Sequence, residues 1–237
     1  MIIISAGIPK SGSTLLMYYT QLLIKGAFGN NGQIAFEKWV QDGPVGGIEA
    51  FPWESWTDHL DTLETISIES GPFVLKTHKE FPELSKLIAN EIYKIIFSFR
   101  DPRDIILSAI DHGNRSLLNN ETYFTECTNI KSTALVVEGW CKSALPFLDS
   151  DKVLKIHYEQ LVLNPEHQLE RLGNYLGLSD AQFLARKAVM GERMTRQPNR
   201  NQFNKGQALR YINEMSAEDQ IFSKTILGKY IDKFNYL

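Results

Sequence analysis

Three short stretches carry residues whose types and spacing could do chemistry. Near the start, Gly7-Ile-Pro-Lys10-Ser11-Gly12-Ser13-Thr14 places two glycines, a lysine and three hydroxyls between a triple isoleucine and an apolar run. Two glycines at this spacing ahead of a helix form a loop whose backbone N–H groups, from Ser11 to Thr14, point at an anion. A phosphate-cradling loop of the kind that holds ATP and magnesium has lysine directly after the second glycine; here that residue is Ser13, and the lysine is at position 10. A bare turn would not need so many donors, so the loop reads as a phosphate or sulfate site. The second stretch is Lys76-Thr77-His78. Residues two apart on a strand project to one face, so Lys76 and His78 point together. The third is Arg100, followed by Ser108; from Asp101 to Ser108 is seven residues of helix, which returns Ser108 to nearly the face of Asp101 and lets both Ser108 and Arg100 approach one anion.

These residues need a frame that brings them together. Ile2 to Ser5 reads as a buried strand rather than a leader, Ser13 to Lys25 as a helix stopped by Gly26, Phe73 to His78 and Tyr93 to Arg100 as strands, and Lys152 to Tyr158 as a further strand. Helical patterns lie over residues 82–91, from Asp101 onward with Pro102 at the first position, and from Ser132 to Leu148. Residues 26–71 show poor periodicity and read as a long loop with a short helix from Thr57 to Thr65, and residues 191–206 as a mobile loop. Strands alternating with helices predict an α/β chain: a three-layer α/β/α domain over 1–237, with a central parallel sheet. Ligands of such sheets bind at the C-terminal strand ends, where Lys10, His78 and Arg100 fall.

Composition narrows the function. With 43% apolar and 22% charged residues the chain is an ordinary globular one, and no apolar run approaches a membrane span. A net charge of −3 with interspersed signs gives no general attraction to nucleic acid or anionic lipid, so an anionic ligand has to be held by local cations. Cys127 and Cys141 are too few for a disulfide framework and read as buried thiols, with a reducing, cytoplasmic setting as the default. Five scattered histidines carry no metal-binding spacing, and no metal is expected.

On these residues the sequence resembles the P-loop NTPase-like sulfotransferases that use 3′-phosphoadenosine 5′-phosphosulfate (PAPS), in which PKSGTT is a common form of the loop. The resemblance implies that Lys10 lies beside the oxygen bridging phosphate and sulfuryl group, and that Ser11, Gly12, Ser13 and Thr14 hold the 5′-phosphate. One ammonium with backbone donors could then neutralise the leaving phosphate without magnesium. It further implies that Arg100 and Ser108 hold the 3′-phosphate, that His78 takes the acceptor's proton and that Lys76 assists it. Histidine suits this task because its ordinary pKa leaves a neutral fraction at physiological pH. "YEQLVLNP" is similar to the segment whose tyrosine, here Tyr158, contacts adenine, and "NKGQALRY" to one that wraps the 3′-phosphate through Lys205 and Gly206. The family's arginine there is replaced by Asn204, its second glycine by Leu209 and its tryptophan by Tyr211, leaving Arg193, Arg196 or Arg200 to compensate. The acceptor is expected to be a small molecule, an aromatic or lipid-like alcohol, against walls drawn from Phe36, Trp39, Phe51, Trp53 and Trp56, unless these rings are simply core. An acidic residue such as Glu54 is the rival base. Three other readings remain: a small-molecule or nucleotide kinase, opposed by Ser13; a non-catalytic nucleotide-binding module; and a serine hydrolase, opposed by Pro9 where a nucleophile elbow needs glycine.

Overall fold

A computed structural model describes residues 1–42, 57–78, 84–195 and 206–236, with the side chains of 57 and 193–195 left aside. Its centre is a four-stranded parallel sheet in the order β2-β1-β3-β4, formed by β1 (Ile2–Gly7), β2 (Phe73–Thr77), β3 (Tyr93–Phe99) and β4 (Leu154–His157). The register pairs Ala6 with both Thr77 and Phe97, and Phe99 with His157. All four strands therefore end at one rim.

Alternation along these strands builds two cores. Ile2, Ile4, Phe73, Leu75, Ile95 and Phe97 face one way and Ile3, Val74, Ile96 and Ile156 the other, as the two-residue period requires. On the first face pack α2 (Asn31–Asp42), α3 (Leu60–Ser70), α4 (Leu84–Ala89), α5 (Pro102–Leu118), α6 (Ile130–Asp149) and α11 (Ala217–Lys233). The second face is covered by α1 (Ser13–Phe28), α7 (Tyr158–Leu163), α8 (Pro165–Tyr175) and α9 (Ala181–Thr195). A short α10 (Tyr211–Glu214) precedes α11. The outcome is the expected three-layer α/β/α fold.

Several boundaries differ from the sequence reading. The first helix passes through Gly26 and stops at Gly29, whose positive φ of 80° and N–H bonded to the Lys25 carbonyl make the turn. Residues 31–42 are helical, where a long loop was expected, and the short helix expected from Thr57 to Thr65 lies at Leu60–Ser70. Gly32, within the first of these helices, is a point of close approach, since a Cβ there would lie 2.2 Å from the Gly71 carbonyl oxygen. Its neighbour Gln33 accepts from Val74 N–H at 2.9 Å and so covers the outer edge of β2, a sheet edge that would otherwise be open. Gly191 lies within α9 rather than in a loop. Phe36 is core, stacked on Phe73 at 4.6 Å, with Trp39 packed beside it. Phe51, Trp53, Trp56 and Glu54 lie outside the described residues. Cys127 and Cys141 are buried free thiols, and burial pushes both thiol pKa values up.

Candidate active site

The glycine loop joins β1 to α1 at the rim. Gly12 is the N-cap of α1 with φ 84°, and Lys10 also has a left-handed φ of 67°, an uncommon conformation for a residue with a Cβ. Two close approaches explain the glycines. A Cβ at Gly7 would meet Ser98 Oγ at 2.2 Å, and one at Gly12 would meet the Tyr158 ring at 2.3 Å. Behind Gly12, Ser13 and Thr14 open α1, so their N–H groups are among those a helix leaves without an internal partner. Ser11 faces the other way: its buried hydroxyl donates to Ser98 O at 3.0 Å and its N–H to Ile8 O at 3.0 Å, so the side chain fastens the loop to β3.

Lys10 and Lys76 reach the same corner. Lys76 donates to Thr14 Oγ1 at 2.8 Å, while Lys10 Nζ lies 2.8 Å from His112 Nδ1 and 5.5 Å from the centre of the Phe124 ring. Burial, above all, lowers both pKa values to about 8, with Arg115, Lys76 and Arg100 adding to the effect on Lys10. His78 follows directly on β2, and its Nδ1 is 2.8 Å from the Gly7 carbonyl oxygen. A carbonyl only accepts, so Nδ1 carries the proton and Nε2 the lone pair. Burial and then the Lys76 charge push the His78 pKa down to about 3, so the ring is neutral.

Arg100 ends β3 beside Asp101, whose side chain accepts from Arg103 N at 2.9 Å and so caps α5. The guanidinium is buried. Its Nη2 donates to Asp104 Oδ2 at 2.9 Å and to Gln207 O at 2.6 Å, and its central carbon lies 4.3 Å from the Tyr158 ring. Its Nε has no partner among the described residues. A buried, unsatisfied N–H on a charged group costs free energy, and an anion placed there would recover it. Ser108, also buried, lies two turns along α5. Tyr158 opens α7 with its ring between Gly12 and Arg100, linking the loop to the second cationic corner. Gly206 is exposed with φ 63°; Asn204 and Lys205 lie outside the described residues.

The sequence reading missed two participants, His112 and Gln207. His112 had a usable signal, since it lies four residues after Ser108 and so shares its helix face. Gln207 had none. Asp104 bonds at once to Arg100 and, through Oδ1, to Tyr211 N–H at 2.9 Å, and so ties the 206–211 segment to α5. Among the described residues there is no cluster of His, Cys, Asp or Glu placed to hold a metal ion, and no helix long and apolar enough to cross a membrane.

A parallel sheet with a glycine loop after its first strand, and cations at the ends of its second and third, defines a P-loop-like α/β protein with its cationic residues gathered at the strand ends. Within that class, the sulfotransferase domain model matches residues 2–236, and the chain belongs to this family. Among curated proteins it is similar to cytosolic sulfotransferase 7 of Arabidopsis thaliana, 27% identical over 184 residues that cover 73% of this chain and 55% of the relative. Sulfotransferase 2A1 of Macaca fascicularis is 23% identical over 180 residues, 71% of this chain and 56% of that one. The chain thus spans about half the length of the curated relatives it matches. Solved structures with the same fold include retinol dehydratase with retinol and PAP, at TM-score 0.63 and 16% identity over 97% of this chain and 81% of that one. Mouse sulfotransferase SULT7A1 with PAP has TM-score 0.62 and 16% identity, covering 97% and 84%.

Proposed function

We propose that the chain transfers a sulfuryl group from PAPS to a hydroxyl or amine of a small-molecule acceptor. The observation that carries this reading is the buried Arg100, whose Nε has no partner among the described residues, linked through the Tyr158 ring to the glycine loop, in a chain of the sulfotransferase family. Two separate cationic corners suit a nucleotide with phosphates at both ends; ATP has only one polyphosphate to hold. The N–H groups at the start of α1 and Lys10 would hold the 5′-phosphate side, and Arg100 with Ser108 the 3′-phosphate, with Tyr158 between them against the base. Lys205 and Gly206 are assigned to the same 3′ corner from sequence.

PAPS supplies a sulfuryl group already activated by its anhydride bond to the 5′-phosphate. The bond from sulfur to the acceptor oxygen or nitrogen forms as that anhydride bond breaks, and the electron pair stays on the phosphate oxygen. Lys10 neutralises the charge developing there. The acceptor proton passes to His78 Nε2, the nitrogen left basic by the Nδ1 bond to Gly7. Anionic groups brought in beside Lys76 offset its field on the imidazole and raise its pKa toward a useful range. Lys76 holds Thr14 at the loop and adds positive charge near the transferring group. For the acceptor, the retinol dehydratase structures hold retinol and androsterone; we carry over only their class, an apolar alcohol. A cytoplasmic setting belongs to the same proposal and is supported by the similarity to cytosolic sulfotransferase 7.

Thermal shift tests the nucleotide reading, because a ligand that binds only the folded state raises Tm by mass action. We expect 3′,5′-adenosine bisphosphate to raise Tm more than AMP, or ATP with magnesium. A larger shift with ATP and magnesium would favour a kinase, and no shift with the bisphosphate would overturn the proposal.

A further inference from the structure

Lys10 is proposed above to face the leaving phosphate, yet the partner that holds its ammonium is not a carboxylate. It is His112, with Nδ1 2.8 Å from Nζ, on the turn of α5 that follows Ser108. The imidazole is itself wedged: the Phe124 ring lies 4.8 Å from it, and Phe124 in turn meets Trp140 edge-on at 5.6 Å. An imidazolium has no lone pair, so a lysine ammonium can bond to Nδ1 only if the ring is neutral with its proton on Nε2. The charges around the pair favour that state. Arg115 and Asp111 on α5, Lys76 on β2 and Arg100 at the end of β3 all act on Lys10, and all but Asp111 are positive. Burial, Lys10 and Arg115 lower the His112 pKa to about 4.

We propose that His112 is a positioning residue for Lys10: its Nδ1 lone pair keeps the amine protonated and aimed along the face of α5 that carries Ser108. A neutral acceptor suits this position. A carboxylate would cancel the charge that the leaving phosphate needs, whereas an imidazole holds the ammonium and leaves its full positive charge available. The left-handed backbone at Lys10 delivers its side chain to α5, and the Phe124–Trp140 pair fixes the ring that receives it. The inference rests on the nucleotide reading of the loop for its purpose, but the Lys10–His112 coupling can be tested without it.

The test is the pH profile of Lys10 acetylation by acetic anhydride, read by peptide mass spectrometry in the full chain. Only the neutral amine reacts, so the profile reports the protonation of Lys10. Wild-type reactivity should be half-maximal near pH 8. His112→Phe keeps the ring against Phe124 but has no lone pair; its profile should move to lower pH and its rate at pH 7 rise about three- to tenfold, the loss of one hydrogen bond to the charged form. His112→Asn puts a carbonyl oxygen where Nδ1 was and should restore the wild-type profile, although its smaller side chain exposes Lys10 more. Coincident profiles for wild type and His112→Phe, or an Asn variant that behaves like Phe, would overturn the proposal. Protection of Lys10 by 3′,5′-adenosine bisphosphate is measured in parallel. Absence of protection, with a shifted His112→Phe profile, removes the nucleotide reading and leaves the coupling; protection with an unshifted profile does the reverse.

Discussion

His78 Nδ1 lies 2.8 Å from the carbonyl oxygen of Gly7, so the residue that ends the first strand sets the tautomer of the imidazole that follows the second. The parallel pairing of β1 with β2, Ala6 against Thr77, brings the two together. His78 Nε2 and the glycine loop are thereby held side by side at the ends of two paired strands.

His78→Ala should lower the rate of sulfuryl transfer by roughly 10²- to 10⁴-fold, the usual contribution of a positioned base. Binding of 3′,5′-adenosine bisphosphate should be nearly unchanged. Glu54→Ala should keep near-normal turnover. Labelled sulfuryl transfer to an acceptor found in cell extracts measures both, and a His78→Ala enzyme with ordinary turnover removes the assignment.

Arg100→Met should weaken 3′,5′-adenosine bisphosphate by about 10- to 100-fold, the value of a charge-assisted hydrogen bond to phosphate. AMP lacks the 3′-phosphate and should bind the variant as it binds the wild type. Calorimetric titration of both nucleotides separates this loss from general misfolding; equal losses for the two would refute a 3′ role for Arg100.

How much of this site could be read from the chain is visible in these same residues. The strands, the loop after the first of them and the start of α5 were legible, because two-residue alternation, a glycine loop and an Asp-Pro helix start are local signals. The helix at Asn31–Asp42 was not, because Gly32 serves a close approach to Gly71 that only the folded neighbour reveals, whereas the helix at Leu60–Ser70 was read in part. The inward turn of Ser11 was equally hidden, since its partner Ser98 lies 87 residues away. Asp104, four residues after Arg100, is in reach of it by spacing alone, but its second bond to Tyr211 depends on chain far downstream.

Lys10→Met and Lys76→Met should each raise Tm at pH 7 while suppressing transfer. Both amines have pKa values near 8 in the folded protein against 10.5 ordinarily. Between these values the unfolded chain binds more protons, so wild-type stability should gain from each lysine as pH rises from about 8 to about 10.5. Each variant should lose its share of that gain. Melting curves taken from pH 7 to 10 give the sign directly.

Gly12→Ala should be costly in two ways. A left-handed backbone costs an alanine about 1–2 kcal/mol, which is roughly 2–8 °C of Tm in a chain of this size. The added methyl also strikes the Tyr158 ring, 2.3 Å from its place, and should displace it from Arg100. A variant with unaltered Tm and nucleotide affinity would contradict the geometry of the loop.

Ser98 sets a timetable. Its carbonyl receives both the Ile8 N–H, at 3.3 Å, and the Ser11 hydroxyl, so the loop near the beginning of the polypeptide takes its form from a residue that the ribosome adds some ninety positions later. During synthesis the nascent first strand and helix hold no finished cradle. Completion of the glycine loop therefore has to wait until the third strand has emerged and docked.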